Sequence, residues 1–224
     1  VVFEYGLVYE SAGLTAFDFH LFDANTFTNA NVCMQYKIGV GVDLIGNESG
    51  LLPLFANNVE FVTTWNAIRA AYLLFHDSFG LHSWDDADAL IPISADSGVD
   101  NAMYSPGCDN IQVRDGFASR DVIIHEFTHG VIAMAPSDLV YNGQSGALNE
   151  AYADTMTAVP ETDWLIAEDR TSGDGANRSM FDPPGRHCGR PWSLGNCGQP
   201  DRMSQFVVTS ADDGGVHTNS GIIN

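Results

Sequence analysis

Two histidines and a glutamate in the middle of the chain have the types and the spacing that metal-assisted hydrolysis requires. His125 and His129 are four residues apart, so on an α-helix they project from one face about a turn apart. Two imidazoles in that position can bind one metal ion. Glu126 flanks the same face, where its carboxylate can act as a general base. The segment therefore predicts the His-Glu-x-x-His zinc site of metallohydrolases.

The residues around this motif argue against incidental histidines on an exposed helix. The segment is apolar nearly all round, which is typical of a buried helix rather than an amphipathic surface helix. Its apolar residues are Val122, Ile123, Ile124 and Phe127. Buried imidazoles and carboxylates need polar or metal partners. We therefore interpret the two histidines as metal ligands.

A second segment downstream offers the third zinc ligand. Two histidines leave a catalytic zinc one protein ligand short, because such sites keep one position for water. Glu150 and Asp154 are four residues apart and share a helix face. Glu150 can complete the ligand set, and Asp154 can contact the outer nitrogen of a zinc-bound histidine and fix its orientation. A solvated helix face is the ordinary interpretation of such a pair, but Ala147, Leu148 and Ala151 make the surroundings apolar.

The elements that would position these residues follow from periodicity and from helix-ending residues. Residues 1–44 alternate apolar and polar side chains, which predicts strands over residues 17–21 and 32–42. Residues 119–135 predict the zinc helix, ended by Pro136, and residues 145–159 predict a second helix, ended by Pro160. Residues 160–216 are rich in Gly, Pro, Asp and Ser, which predicts loops.

A long helix is predicted over residues 57–79, with an aromatic stripe on one face and its end at Gly80. The stripe consists of Phe61, Trp65, Ile68, Tyr72, Phe75 and Phe79, and we interpret it as core rather than as a cofactor pocket. Residues 89–94 predict a short strand. Because Pro92 interrupts it, we expect this strand near a sheet edge.

Composition limits the classes of partner. The 224 residues include 9 Lys and Arg against 29 Asp and Glu, a formal charge of −20. Such a surface repels phosphate backbones, so we expect neither nucleic-acid nor membrane binding. The sequence contains no run of eighteen apolar residues, so it predicts no membrane span.

The four cysteines form no Cys-x-x-Cys pair, which argues against a thiolate zinc site. Cys188 and Cys197 bracket a loop that a disulfide could close. We favour bridged cysteines over free thiols, since the chain is expected to be exported.

Three motifs in order make the chain resemble the thermolysin-like neutral metalloproteases. They are the paired histidines, the downstream Asn-Glu-Ala-x-x-Asp, and the C-terminal Asp-Asp-Gly-Gly-Val-His-Thr-Asn-Ser-Gly. The resemblance runs from residue 101 to residue 224, with weaker traces in residues 65–80 and 83–86.

The resemblance implies a role for each matching residue. The zinc ligands would be His125, His129 and Glu150, with Glu126 as the base and Asn149 and Asp154 in contact with the ligands. The other catalytic residues would be His217 for the transition state, Asp212 to orient it, and Tyr141 as a second oxyanion donor. The substrate would contact Asn101, Ala102 and Arg178. Taken singly, several of these residues also have ordinary interpretations: Tyr141 as core, Asn101 as turn, Arg178 as surface charge and His217 as loop.

Calcium is a second expectation. Asp121 precedes the zinc helix, and Glu161, Asp163 and Glu168 follow the second helix. Carboxylate clusters suit Ca²⁺, and the long loop region needs a structural clamp. The resemblance implies calcium in this region. Because Leu165 occupies a position that the family fills with Glu, we expect one structural site rather than two.

The resemblance also implies an α+β fold with two parts. Residues 1–137 would form a β-rich domain with the long helix and the zinc helix. Residues 138–224 would form an incomplete C-terminal helical domain with the third zinc ligand and His217, which favours a fragment of a longer protease. The implied function is that of a secreted, monomeric endopeptidase that cuts proteins before apolar side chains.

Two alternatives stay open. An aminopeptidase would need a carboxylate trap for a free amine, which we do not locate in the sequence. A non-catalytic or inactive calcium-bearing fragment could keep the zinc motif as structure. Glu126 argues against the second alternative, because a structural zinc needs no base.

Overall fold

The fold is α+β, as expected from the sequence. The computed structural model describes residues 19–23, 43–47, 50–51, 57–97, 101–136, 139–161, 163–170, 177–185 and 198–224. The predicted strand over residues 32–42 and the predicted pairing of Cys188 with Cys197 lie outside these residues. None of the helices in the described part combines the length and hydropathy that a bilayer crossing requires.

Strands precede most of the helices along the chain. The strands are β1 (Phe19–Asp23), β2 (Asp43–Asn47), β3 (Gly50–Leu51), β4 (Ile91–Ser97), β5 (Ala102–Ser105), β6 (Asn110–Arg114), β7 (Leu165–Ile166) and β8 (Arg178–Ser179). The α-helices are α1 (Val59–Phe79), α2 (Arg120–Met134), α3 (Gly143–Ala158) and α4 (Asp212–Asn219). Short 3₁₀-helices are Pro183–Gly185, Met203–Gln205 and Ser220–Ile222. Outside β7, β8 and these short helices, the described residues between α3 and α4 are irregular, as predicted.

The larger sheet is mixed, with strand order β3-β2-β1-β4-β6-β5. Strand β4 pairs in parallel with both β1 and β6, whereas β5 pairs antiparallel with β6 and forms one edge. The expectation that the strand containing Pro92 lies near an edge is therefore wrong. Pro92 is only the second residue of β4, and the ladder with β6 begins at Ile93. Its missing N–H consequently falls at the start of the strand, where proline is tolerated.

Helix α1 forms where the aromatic stripe predicts it. Its N-terminus is capped by Asn58, whose side chain accepts a hydrogen bond from the Phe61 N–H. It ends at Gly80, whose φ of 72° is the left-handed conformation that glycine adopts most easily. Most of the stripe is core, but Phe79 is 58% exposed. Phe79 is the last residue of α1, and the interpretation of this residue as core is wrong.

The core lies between the sheet and helices α1 and α2. It contains side chains of α1, β4, β6 and α2, including Phe61, Ile68, Phe75, Ile91, Ile93, Ile111, Val113, Ile123, Ile124 and Phe127. Helix α2 begins after Ser119, whose side chain accepts a hydrogen bond from Val122 N–H, and the helix is capped at Ala135. At Gly130 a Cβ atom would come within 2.6 Å of the Trp84 ring, so only glycine lets α2 approach this buried indole.

Helix α3 packs against both α2 and α4. Both α2 and α3 lie close to the ranges that the sequence predicts. Because α3 contacts both neighbours, it brings residues from the middle and the end of the chain together.

Candidate metal centre

Helices α2 and α3 bring three candidate ligands together. His125 and His129 on α2 have their Nε2 atoms 3.0 Å apart. The Glu150 carboxylate on α3 contacts both rings. Its Oε2 atom lies 3.3 Å from His125 Nε2, and its Oε1 atom lies 3.3 Å from His129 Nε2. These three residues are the one group among the described His, Cys, Asp and Glu residues whose ligand atoms all lie within 4.8 Å of one another. Imidazole and carboxylate at this separation match the donors that zinc prefers.

The electrostatics of the three residues fit a cation. Glu150 is completely buried, and its Oε2 atom has no hydrogen-bond partner. Burial alone would raise the pKa of Glu150, but the facing imidazoles of His217, His129 and His125 lower it well below its usual range. Burial alone would lower the pKa of His125, but contacts with Asp154 and Glu150 raise it to about 10. The site therefore stabilises positive charge, and the residues present fit a divalent metal ion.

A further layer of residues holds the ligands in place. The Nδ1 atom of His125 lies 3.0 Å from Asp154, and the Nδ1 atom of His129 lies 2.7 Å from the side-chain oxygen of Asn149. Asp154 also accepts a hydrogen bond from Arg178, at 2.6 Å. Burial raises the pKa of Asp154, but Arg178 and His125 hold it at about 2. Asp154 therefore stays ionised and orients the His125 ring.

Glu126 lies on the cavity side of α2 and does not complete the ligand group. Its Oε2 atom accepts a hydrogen bond of 2.7 Å from the backbone N–H of Tyr104 on β5. The contact with Tyr104 was not predicted from the sequence. A backbone N–H belongs to every residue type except proline, so no sequence signal distinguishes this one.

Tyr141, which precedes α3, and His217, which lies on α4, both reach the site. The Tyr141 hydroxyl donates a hydrogen bond to Glu150 and lies 3.3 Å from His217 Nε2. Asp212 accepts from the backbone N–H of His217 at 3.0 Å and contacts its Nδ1 atom at 2.5 Å. Burial lowers the pKa of His217, but Glu150 and Asp212 raise it above its usual value. These contacts favour an imidazolium that points toward the ligand group.

A cavity of about 640 Å³ opens beside these residues. Its walls include Glu126, Tyr141, Arg178 and His217 together with Asn101 and Ala102 from the edge of the sheet. Part of its lining is apolar, and we call the residues of this part, Phe117, Val122, Ile166 and Ala167, the apolar end of the cavity. The structure thus places the sequence-predicted zinc ligands, the predicted base and the predicted substrate residues along one cavity.

The four acids predicted to bind calcium form a looser group. Asp121 is buried, and its carboxylate accepts hydrogen bonds from Ser119 and from the backbone N–H of Ala167. Burial, with Asp121 and Asp163 nearby, raises the pKa of Glu168 to about 7. Burial and the same neighbours also raise the pKa of Glu161, against the opposing effect of Arg120. Neighbouring carboxylates thus contribute to the raised pKa values of Glu161 and Glu168, although the oxygens of the four acids do not meet the spacing that the zinc group does.

Cys108 on the β5–β6 turn is disulfide-bonded. The expectation that the cysteines are bridged rather than free is therefore confirmed for Cys108.

Comparisons with known proteins relate this fold and this site to the metallopeptidases. Residues 137–224 match the family described as thermolysin metallopeptidase, alpha-helical domain. The chain is 35% identical over 173 residues to the extracellular elastase of Staphylococcus epidermidis, across 70% of this chain and 32% of that protein. It is 33% identical over 206 residues to the neutral protease NprE of Bacillus pumilus, across 81% of this chain and 64% of that protein.

A solved structure extends the similarity to nearly the whole chain. The precursor of protealysin, a metalloproteinase from Serratia proteamaculans, superposes with a TM-score of 0.74 at 25% identity, covering 93% of this chain and 66% of that one. The chain is therefore similar to the thermolysin-like metallopeptidases over most of its length, and residues 137–224 match the helical domain of that family. It spans about a third of the length of the first curated relatives that it matches, 32% in each case.

Proposed function

We propose that this chain carries the catalytic centre of a zinc-dependent endopeptidase that hydrolyses internal peptide bonds. The observation that supports it most is the group formed by His125, His129 and Glu150, whose ligand atoms lie within 4.8 Å of one another. Glu126, Tyr141 and His217 are not in this group, yet they line the same cavity. A structural metal site needs no such groups around an open cavity.

His125, His129 and Glu150 would hold the zinc ion, which when bound would act as a Lewis acid toward water and the substrate carbonyl. Glu126 takes the proton from the attacking water and passes it to the departing amine. The hydrogen bond from the Tyr104 N–H fixes the orientation of this carboxylate. Glu126 is 7% exposed, so bulk water competes little with the reacting one.

Tyr141 and His217 stabilise the negative charge that develops on the carbonyl oxygen. Both are donors: the Tyr141 pKa is raised by burial and Glu150, so its hydroxyl keeps its proton. Glu150 and Asp212 raise the His217 pKa against the effect of burial, which favours the imidazolium form. Preorganised donors of this kind commonly contribute about 10²–10³-fold to the rate each. Arg178 lies beside them and can donate to a substrate carbonyl while Asp154 holds its other end.

The substrate backbone binds along β5. This strand is an edge of the sheet and pairs on one side with β6. Its other side faces the cavity at Asn101 and Ala102. An extended peptide can add to such an edge through main-chain hydrogen bonds, which places its scissile carbonyl beside the ligand group.

Calcium is the second cofactor in this proposal. Burial, and then repulsion from neighbouring carboxylates, raise the pKa values of Glu161 and Glu168. A calcium ion would remove that repulsion and hold the loop after α3 against the start of α2. Asp121 and Asp163 would complete its oxygen ligands. An extracellular location agrees with calcium binding and with the name of the staphylococcal relative.

Hydrolysis of a quenched peptide with both termini blocked tests the proposal. The chain should cleave it, lose that activity with a zinc chelator, and regain it when zinc rather than magnesium is added. Cleavage that requires a free amino terminus would instead support an aminopeptidase. Stoichiometric zinc binding without cleavage of any peptide would support a non-catalytic chain.

A further inference from the structure

Arg170 lies behind the apolar end of the cavity and contacts two of its wall residues from outside. The side chain is 7% exposed. Its guanidinium carbon lies 4.7 Å from the centroid of the Phe117 ring, and its Nε–H donates a hydrogen bond of 3.0 Å to the carbonyl of Ala167. Phe117 and Ala167 both line the cavity. One buried cation therefore connects two separate segments of the wall.

Ala167 depends on such support because its backbone is strained. Its φ of 67° is in the left-handed region, which is unfavourable for alanine. The residue is held on both sides: its N–H donates to Asp121, and its carbonyl accepts from Arg170. Loss of the Arg170 bond would leave one of these two restraints on this part of the wall.

Phe117 is restrained by the same side chain. Arg170 and Arg114 both lie over its ring, with guanidinium carbons 4.7 Å and 5.2 Å from the centroid. Stacked guanidinium groups stabilise an aromatic ring in one orientation. Arginine can stack and donate through Nε at the same time, whereas lysine cannot, because its ammonium is a point charge without a planar fork.

This wall borders the metal site through Ile166 and Arg178. Ile166 on β7 pairs with Arg178 on β8, and Arg178 contacts Asp154 behind His125. A side chain next to the scissile bond would therefore enter the apolar end of the cavity. We propose that Arg170 is a positioning residue that holds Phe117 and Ala167 in place and thereby gives the enzyme its preference for a bulky apolar side chain beside the cleaved bond. This inference rests on the proposed function.

Two peptides and two variants test the inference. The peptides are quenched and blocked, and they differ in one residue after the scissile bond, leucine or alanine. In the zinc-loaded Arg170→Met variant, KM for the leucine peptide should rise about tenfold at unchanged kcat, because pocket binding is lost equally in ground and transition states. The alanine peptide, which hardly enters the pocket, should change less than about twofold.

The matched control is Arg202→Met, which removes an exposed arginine paired with its neighbour Asp201 and should leave both peptides unaffected. Equal losses on both peptides in Arg170→Met, or no loss on either, would overturn the inference. Arg170→Lys keeps the charge and serves if the methionine variant does not fold. It should lose the preference for leucine as well, and wild-type selectivity in this variant would contradict a role of the guanidinium.

A binding measurement separates this inference from the proposed function. N-acetyl-leucinamide and N-acetyl-alaninamide are titrated by NMR into the zinc-loaded protein, which requires no turnover. Tighter binding of the leucine compound to wild type, lost in Arg170→Met, supports the pocket even if neither peptide is cleaved and the proposed function fails. Equal binding of the two compounds to wild type overturns the pocket.

Discussion

Replacing Asp154 by asparagine should weaken zinc binding and destabilise the chain, because this buried carboxylate contacts His125 and Arg178 and also accepts a hydrogen bond from Asn224. One oxygen lies 3.0 Å from His125 Nδ1 and 2.6 Å from Arg178 Nη2. Asparagine keeps the size of the side chain but not the charge that orients His125. Loss of such a contact typically lowers metal affinity about 10- to 100-fold. That range corresponds to roughly 1.4–2.8 kcal/mol of binding free energy.

The second expected effect of the substitution is a lower free energy of unfolding of the zinc-free chain. Without Asp154, the remaining ion-pair partner of the partly buried Arg178 among the described residues is Glu150, at 3.9 Å. Breaking a buried ion pair from one side commonly costs about 3–5 kcal/mol of unfolding free energy. Asp154→Ala should approach that range. Asp154→Asn should cost less, since its amide oxygen still accepts a hydrogen bond from Arg178.

Competition with a fluorescent zinc chelator measures the affinity, and urea unfolding of the zinc-free protein measures the stability. The control is Asp201→Asn, which removes the same charge from an exposed pair with Arg202. Zinc affinity of Asp154→Asn within twofold of this control would refute the role assigned to Asp154. Reduced stability with unchanged affinity would show that Asp154 stabilises the fold through Arg178 and Asn224 without supporting the zinc ligand.

Three further results are expected. Gly146→Ala should lower kcat about 10- to 100-fold with zinc retained, because the new methyl group would overlap Val216 and displace the adjacent His217. Stopped-flow hydrolysis measures kcat and zinc analysis measures the metal content of the variant. Unchanged kcat would count against this prediction. Asp212→Asn should move the alkaline limb of the pH–rate profile to lower pH. Asp212 helps to raise the His217 pKa, and the protonated His217 ring is the active form. An alkaline limb at the wild-type pH would contradict the role of Asp212 in raising that pKa. Calcium added to the calcium-free, zinc-saturated chain should raise Tm, and Glu168→Gln should reduce the increase. In the calcium-free chain, the raised pKa of Glu168 should make stability fall between about pH 4.5 and pH 7, and a Tm insensitive to calcium would argue against this site.

The long helices could be predicted from sequence because local chemistry specifies them. Helix α1 has an aromatic stripe and a terminal glycine, and α2 has an N-cap serine and a following proline. The ligand group followed from the His125–His129 spacing together with the Glu150–Asp154 spacing. Each of these signals lies within one helix, so periodicity alone reveals it.

The features that the sequence did not predict correctly are contacts between segments that are distant in the chain. Pro92 suggested an edge strand, but its place in β4 depends on where the ladder with β6 begins. The Tyr104 N–H reaches Glu126 across 22 residues of sequence, and no residue type signals a backbone donor. Arg170 and Phe117 meet only because the loop after α3 packs beside α2. Such contacts require the tertiary structure.

The most direct test of the central claim is the Glu126→Gln variant, assayed for both zinc and hydrolysis. Glutamine keeps the side chain's size and an oxygen for the Tyr104 N–H, but it cannot take a proton. The account predicts one zinc per chain, as in the wild type, and hydrolysis of the blocked peptide reduced by at least about 10²–10⁴-fold. Full zinc occupancy with unchanged turnover would contradict it.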